Sequence, residues 1–258
     1  MKYVVVGDVH GCLDELKALL ALLALSPEST VLVFVGDLLD KGPHPAETVK
    51  YVRELRYPVV LVQGNHEEKH ARFRRHEAAR KATGKTNPMD DSKGVYASTA
   101  AGLSEADVAF LDSARLFYRV PGRNVLVTHA GVAPCVKELP DETVHYASLK
   151  GKEKDLLGSL LRVRHVNADT GKGVPVDQTD PAVHPHWTAV YDGRFGRVVY
   201  GHESYLDGPV EARHAVGIDL GVVIGGRLCA LVLHEDGSEE TVTVQAARKY
   251  AEPWDVEG

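Results

Sequence analysis

Tyr3-Val4-Val5-Val6-Gly7-Asp8-Val9-His10-Gly11 opens the chain, and its pattern returns twice within the first quarter. Val31 to Val35 runs into Gly36-Asp37-Leu38-Leu39-Asp40-Lys41-Gly42, and Val59 to Val62 runs through Gln63 into Gly64-Asn65-His66-Glu67-Glu68. Each run is short, apolar and rich in valine, and a glycine closes it, as expected of a buried strand ended by a turn. Helical spacing fills the intervals, with one helix over Leu13 to Leu25, a second over about Pro45 to Leu55 and a third from about Glu67. The alternation predicts a βαβαβ opening on a mostly parallel sheet. Carboxylate, amide and imidazole groups then stand where strands end and loops begin, the side of an α/β sheet on which reactive groups converge over a rigid base.

Beyond this opening, Ala82 to Gly94 is polar and reads as a surface loop over the site. A helix from Ser104 to about Ala114 follows, with Ser104 as N-cap and Asp107 three positions on. Leu116 to Val120 and Asn124 to Thr128 read as a hairpin turned by Pro121-Gly122. Asn167 to Trp187, dense in Gly, Pro, Asp and His, reads as a long connection beside the site. Four later runs, Arg197 to Tyr200, Ala215 to Ile218, Arg227 to Leu233 and Thr241 to Val244, predict antiparallel strands that build a second sheet. The expected class is α/β, a two-sheet β-sandwich flanked by helices on both sides, with no internal repeat.

A length of 258 residues with 44% hydrophobic content suits a single domain, residues 1–258, with a sizeable core. Net charge is −6 with both signs interspersed, which argues against bulk nucleic acid and against an anionic membrane surface as partner. The chain enters a strand at once, so no secretory leader is expected. Leu13 to Leu25 carries Asp14, Glu15 and Lys17 and falls short of the roughly 20 residues of a membrane span. Cys12, Cys135 and Cys229 stand alone, against a disulfide framework or thiolate zinc site, and a reducing, cytoplasmic setting is expected.

Chemistry concentrates in the glycine-bounded turns. Asp8 and His10 can face one cation, Asp37 can offer one oxygen to each of two, Asn65 adds an amide oxygen, and His129 and His202 add imidazole nitrogens. Mixed oxygen and nitrogen donors without thiolate suit divalent transition metals, with Mn first and Fe, Zn, Co or Ni as alternatives. Two such ions about 3.5–4 Å apart would clamp the attacking and leaving oxygens of a displacement at phosphorus. His66 is then the candidate proton donor to the leaving oxygen, oriented by Asp40, while Lys41 with Arg164, or else Arg162, would hold the remaining phosphate oxygens. His66-Glu67-Glu68-Lys69-His70 also fits the HExxH pattern of zinc proteases, but the Gly64-Asn65 step is expected to leave His66 in the loop before the helix. His70 and His76, among Arg72, Arg74 and Arg75, are expected to face solvent, and the alternative is a basic cluster for distal phosphates. His184 and His186 are assigned loop roles, while Glu203 and Asp219 are possible supports of the site.

In order, GDVHG, GDLLDKG, GNHE, THAG and GHE resemble the motifs of the calcineurin-like metallophosphoesterases, above all the phosphoprotein phosphatase branch, over roughly Met1 to Leu233. The resemblance implies a four-layer αββα fold. It also implies one metal at Asp8, His10 and Asp37 and a second at Asp37, Asn65, His129 and His202, with His66 as acid and Asp40 as its orienting carboxylate. Two positions depart from the branch: Lys41 stands where its arginine binds phosphate, and Glu203 stands where a threonine is usual. Lys41 followed by Gly42-Pro43, the stretch from Trp187 to Glu203 and that from Gly217 to Leu233 resemble the branch of symmetrical diadenosine tetraphosphate hydrolases, where a position matching Asp219 lies near the site. A lysine is a point charge without the bidentate fork of arginine, which disfavours a simple phosphomonoester. The expected substrate is therefore a nucleoside polyphosphate such as diadenosine tetraphosphate, cleaved into two nucleoside diphosphates. A phosphoprotein or broad-specificity phosphatase is the alternative, inorganic polyphosphate is another, and a non-catalytic interaction module on the same fold is the reading of a different class.

Overall fold

In the computed structural model, which describes residues 1–89 and 91–253, the three valine-rich runs become β1 (Lys2–Val6), β2 (Thr30–Phe34) and β3 (Val59–Leu61). Between and after them lie α1 (Leu13–Leu23), α2 (Pro45–Arg53) and α3 (Asn65–Thr83). β1 pairs in parallel with β2, and β2 with β3, so the βαβαβ opening holds. The expected loop from Ala82 begins at Gly84, which ends α3 with a φ of 74°; Asp90 within it lies outside the described residues. α4 (Val95–Gly102), which the sequence pattern did not suggest, precedes α5 (Glu105–Asp112). Ser104 caps α5 as expected, its hydroxyl accepting from Asp107 N at 3.2 Å while Asp107 accepts from Ser104 N at 2.9 Å.

The hairpin forms from β4 (Tyr118–Arg119) and β5 (Val125–Val127). After α6 (Gly151–Leu157), the connection from Asn167 is structured by a ribbon of β6 (His165–Val166) and β7 (Gly173–Val174) and by the single turn of α7 (Trp187–Val190). The chain ends with β8 (Arg197–Tyr200), β9 (Val210–Ala212), β10 (Ala215–Gly217), β11 (Arg227–Leu233) and β12 (Glu239–Gln245). Two five-stranded sheets result, in the orders β12-β11-β1-β2-β3 and β4-β5-β8-β10-β9. The expectation of four late antiparallel strands in one new sheet is corrected on two counts. β8 runs parallel to both β5 and β10, and β11 returns antiparallel beside β1, carrying β12 into the first sheet.

Side-chain alternation along each strand sorts the core into layers. Tyr3, Val5, Val33, Cys229 and Leu231 face Val127, Val199, Val216 and Ile218 between the sheets. Val4, Val6, Leu32, Phe34, Leu228 and Ala230 point the other way, onto Leu16, Leu19, Val49, Val52 and Leu111 of the first helical layer. Leu126, Val198 and Tyr200 meet Leu157, Leu160, Leu161 and Trp187 on the far side. Strands covered on both faces are apolar at every position, which is why the valine runs are unbroken. Among the described residues no helix is long and apolar enough to cross a membrane. Leu32 is fully buried on a strand paired on both sides, so Leu32→Ala is expected to lower unfolding free energy by about 2–5 kcal/mol in urea denaturation.

Candidate active site

Among the described residues, five of the six non-glycine residues with positive φ belong to the site: His10 (45°), Asp37 (50°), Asp40 (70°), Lys41 (68°) and His202 (71°). Such conformations cost about 1–3 kcal/mol each and persist where surroundings over-determine them. Here the surroundings are the loops leaving β1 and β2: His10 N and Val9 N donate to Asp37 O, and Gly11 N donates to Leu38 O. Glu67, which carried no role in the sequence reading, fastens these loops to α3. Buried at its first turn, it accepts from Asp37 N (2.8 Å), Leu38 N (2.8 Å) and Gly64 N (2.9 Å). Burial and the charge of Asp37 push its carboxyl up to about 8, against the pull of the three N–H donors. The signal for it was the Gly64-to-Glu67 spacing of an N-cap and its third helical residue.

Two groups of donor atoms, each within 4.8 Å of one another, meet in the site: His10, Asp37 and His66, and Asp37, His129 and His202. Asp37 is common to both. Its Oδ1 accepts the His66 backbone N–H at 3.0 Å, while Oδ2 lies 3.6 Å from His10 Nε2, 3.4 Å from His129 Nε2 and 3.9 Å from His66 Nε2. Oδ2 is thus the oxygen that faces both sets, while the amide of His66 engages Oδ1. His66 stands in the first group where the sequence reading had Asp8. Asp8 lies beside it, with Oδ2 accepting His202 N–H at 3.1 Å and Oδ1 buried without a hydrogen-bond partner among the described residues. A methyl group at Gly201 would come within 1.9 Å of that Oδ1, so only glycine lets the last histidine loop approach it.

The donor set fits divalent cations on its own chemistry. His10 Nδ1 donates to Leu39 O at 2.8 Å and His129 Nδ1 to Val35 O at 3.0 Å, which fixes the tautomers and leaves each Nε2 a lone pair. Burial draws His10 down to about 3 and also lowers His129 and His202, so these rings are neutral, as ligation requires. The Nε2 lone pair of His129 then faces Asn65 Oδ1 at 2.8 Å, with His202 Nδ1 3.1 Å from the same oxygen. His129 Nε2 and Asn65 Oδ1 thus meet as two acceptors with no proton between them, an arrangement a cation relieves. Burial, with Asp219 and Asp37 nearby, likewise raises the carboxyl of Asp8 well above its ordinary range, and burial raises Asp219.

On the other side of His66, Nδ1 donates to Asp40 Oδ2 at 2.6 Å, and His70 Nε2 donates to Asp40 Oδ1 at 2.6 Å. Burial alone would raise the Asp40 carboxyl, but the two imidazole bonds outweigh it and hold it below the usual range. Two expectations are corrected by this. His70 does not face solvent; it is fully buried, its ring set edge-on against Tyr96 at 5.1 Å. His66 is not in a loop but on the first turn of α3, so both histidines of the HExxH pattern do share a helix. They converge on one carboxylate rather than one metal, and the intervening Glu67 is occupied with backbone amides, so the protease reading falls. His76 is partly exposed, as expected.

Lys41 Nζ is closed off from solvent without a hydrogen-bond partner among the described residues, and burial lowers its pKa although Asp37, Asp8, Asp219 and Asp40 oppose the shift. Arg162 is engaged by Glu68 at 2.6 Å, whereas Arg164 Nε is buried without a partner among the described residues. Asp219 accepts from Ser204 Oγ (2.9 Å) and Gly221 N (2.8 Å), combining a turn role with a place near Asp8 and Asp37. Glu203 accepts from His186 Nε2 at 3.0 Å and Tyr205 Oη at 3.2 Å. His186 also caps α7 and His184 Nδ1 accepts from Asp180 N, so both histidines keep the expected loop roles.

Residues 1–226 match the family model described as calcineurin-like phosphoesterase. The chain is 29% identical over 258 residues to the bis(5'-nucleosyl)-tetraphosphatase PrpE [asymmetrical] of Bacillus thuringiensis (strain Al Hakam), covering 96% of this chain and 95% of that protein. The protein of the same name in Bacillus velezensis is 28% identical, with 97% and 95% covered. Among solved structures, one assigned as a diadenosine tetraphosphatase is similar with a TM-score of 0.66 at 25% identity over 94% of this chain and 93% of that one. A Saccharomyces cerevisiae protein serine/threonine phosphatase shares the fold, with a TM-score of 0.54 at 15% identity over 96% of this chain and 81% of that one. Glu67→Gln, which leaves only one oxygen for three amide donors, is expected to cost about 1–3 kcal/mol of unfolding free energy, measured by urea denaturation.

Proposed function

Because this chain belongs to the calcineurin-like phosphoesterase family, whose members are metal-dependent hydrolases, we propose that it hydrolyses dinucleoside tetraphosphates asymmetrically, into a nucleoside triphosphate and a nucleoside monophosphate. The convergence of His129 Nε2, Asn65 Oδ1 and Asp37 Oδ2 without a proton between them carries the metal-dependent part. Substrate class rests on relatives aligned over nearly the whole of both chains, whose printed name is asymmetrical and so moves the expected cleavage away from two diphosphates. The phosphoprotein reading has only likeness of fold behind it. Residues 1–258 are proposed to act as one catalytic domain. Three free cysteines support a reducing, cytoplasmic setting.

In this reading Asp8, His10 and Asp37 hold one divalent cation and Asp37, Asn65, His129 and His202 the other, with Mn favoured by the oxygen and nitrogen donor set. When bound, the pair supplies Lewis-acid stabilisation of the phosphoryl oxygens and a water acidic enough to ionise near neutral pH. The protein's own groups do the rest. Lys41 and Arg164, whose Nζ and Nε have no hydrogen-bond partner among the described residues, neutralise the equatorial oxygens, and Arg162, already paired with Glu68, is the weaker candidate. Asp40 fixes the proton of His66 on Nδ1, so Nε2 is the atom that delivers a proton to the departing oxygen. Asp219 and Glu203 hold the loops around the last histidine.

Purified protein with Mn, challenged in parallel with diadenosine tetraphosphate, a phosphopeptide, inorganic polyphosphate and an aryl phosphate, is expected to show its highest kcat/KM on the first, releasing ATP and AMP. Two ADP would assign symmetrical cleavage, and equal rates on all four substrates would sink the substrate assignment. His66→Asn is expected to leave cation binding intact and to lower kcat on an alkyl phosphate by about 10²–10⁴-fold. The loss should be smaller on the tetraphosphate, whose leaving group departs without much help. Weakened cation binding in this variant would instead make His66 a ligand.

A further inference from the structure

Between the turn at Lys41 and the end of the chain lies a pocket of about 350 Å³ lined by Lys41, Gly42, Pro43, Arg248, Lys249 and Tyr250. Three of the six are cations and none is a carboxylate, in a chain whose net charge is −6. Two other clefts also hold basic residues, but there Asp112 pairs with Arg74 and Glu142 with Arg115, so the charge is already countered. Here the carboxylates around Lys41 belong to the reaction centre, Arg248 is in no ion pair among the described residues, and the pair of Lys249 with Glu252, both side chains 45% exposed, contributes little in water.

The segment that carries these cations is tied to the body of the protein. Ala246 N donates to Gly226 O, Ala247 N to Glu15 Oε1, and Tyr250 N and Ala251 N both to Val223 O. Tyr250 Oη donates to Glu15 Oε1 at 2.7 Å, which sets the ring, and the Arg248 guanidinium lies over that ring at 5.3 Å from its centre. Val223 and Gly226 follow directly on the turn that Asp219 closes. Lys41 belongs to both places: its ammonium lies in the field of Asp37, Asp8, Asp219 and Asp40, and the same residue lines the pocket. Arg248 and Lys249 line the same pocket as Lys41, which is the residue it shares with the reaction centre.

We propose that this pocket is a subsite for the phosphates of a polyphosphate chain that lie beyond the phosphorus under attack, an inference that rests on the nucleoside polyphosphate reading above. Arg248 and Lys249 lie after residue 226, where the match to the family model ends. They are thus placed to set substrate preference rather than the shared chemistry. A monophosphate ester, which ends at the reaction centre, does not reach them.

The test is the double variant Arg248→Ala/Lys249→Ala in the metal-loaded enzyme, with aryl phosphate hydrolysis as the common assay. Inorganic tripolyphosphate and orthophosphate are each titrated as competitive inhibitors. The inhibition constant of tripolyphosphate is expected to rise about tenfold, as two exposed cations near a polyanion suggest, and the rise should shrink at high salt. That of orthophosphate should stay within about twofold. The ratio of kcat/KM for diadenosine tetraphosphate to that for the aryl phosphate should fall by about the same tenfold, mainly through KM. No change in either inhibition constant, or an equal change in both, overturns the subsite. If the unaltered enzyme fails to cleave the tetraphosphate while tripolyphosphate inhibition still weakens selectively in the variant, the substrate reading falls and the polyphosphate subsite stands.

Discussion

Lone pairs that point at one another without a proton between them are the constraint around which this molecule is arranged. His129 cannot turn its Nε2 away, because Nδ1 is bonded to Val35 O, and Val35 directly follows β2, a strand paired on both sides. His10 is held in the same manner by Leu39 O. Neutral imidazoles, an amide oxygen and Asp37 Oδ2 therefore converge by construction. In water such groups would be solvated; buried, they repel unless a cation lies among them. Donor atoms come from the loops after β1, β2, β5 and β8 and from the start of α3, so both sheets must form and stack before the set exists.

Holding loops against that repulsion explains the local cost at the site. The backbone conformations of His10, Asp37, Asp40 and His202 are ones that Asp and His tolerate better than most residues. Lys41 is the exception, and it follows Asp40 in the same left-handed region, so the turn before Gly42 is the tightest in the site. Glu67 gathers the amides of Asp37, Leu38 and Gly64 that this geometry would otherwise leave unpaired. The clamp joins the end of β2 to the start of α3. Displacing that helix would move Asn65, His66 and the Asp37 loop together.

Strand ends were legible from the sequence because a valine run closed by glycine has few other readings, and the side chains after each glycine carried the chemistry. Sheet membership was not. The apolar run Arg227 to Leu233 tells that the strand is buried on both faces, but nothing in it says that the strand lies beside β1, more than two hundred residues earlier, rather than beside β10. The direction of β8 was hidden for the same reason: a parallel neighbour needs a crossover, and the long connections on either side of it permit both directions. His70 misled because its neighbours Arg72, Arg74 and Arg75 suggested a solvated face, whereas its own partner, Asp40, is thirty residues away in sequence. The four-residue spacing from His66 held the true signal, since positions i and i+4 lie on one side of a helix.

That shared carboxylate bears directly on how a proton would move. Asp40 has two oxygens, and each accepts from one imidazole, so neither His66 nor His70 can shift its bonded nitrogen without leaving a buried charge unpaired. The tautomer of His66 is therefore locked from two residues away, through Asp40 and the ring that braces it. With Nδ1 committed, a proton can arrive at or leave His66 only through Nε2, which is the nitrogen on the Asp37 side. His70 thereby restrains the orientation of a group it does not touch. An arginine or lysine in its place would bind Asp40 as well, but a flexible cation would not hold that oxygen in the plane that keeps His66 aimed at the reaction centre.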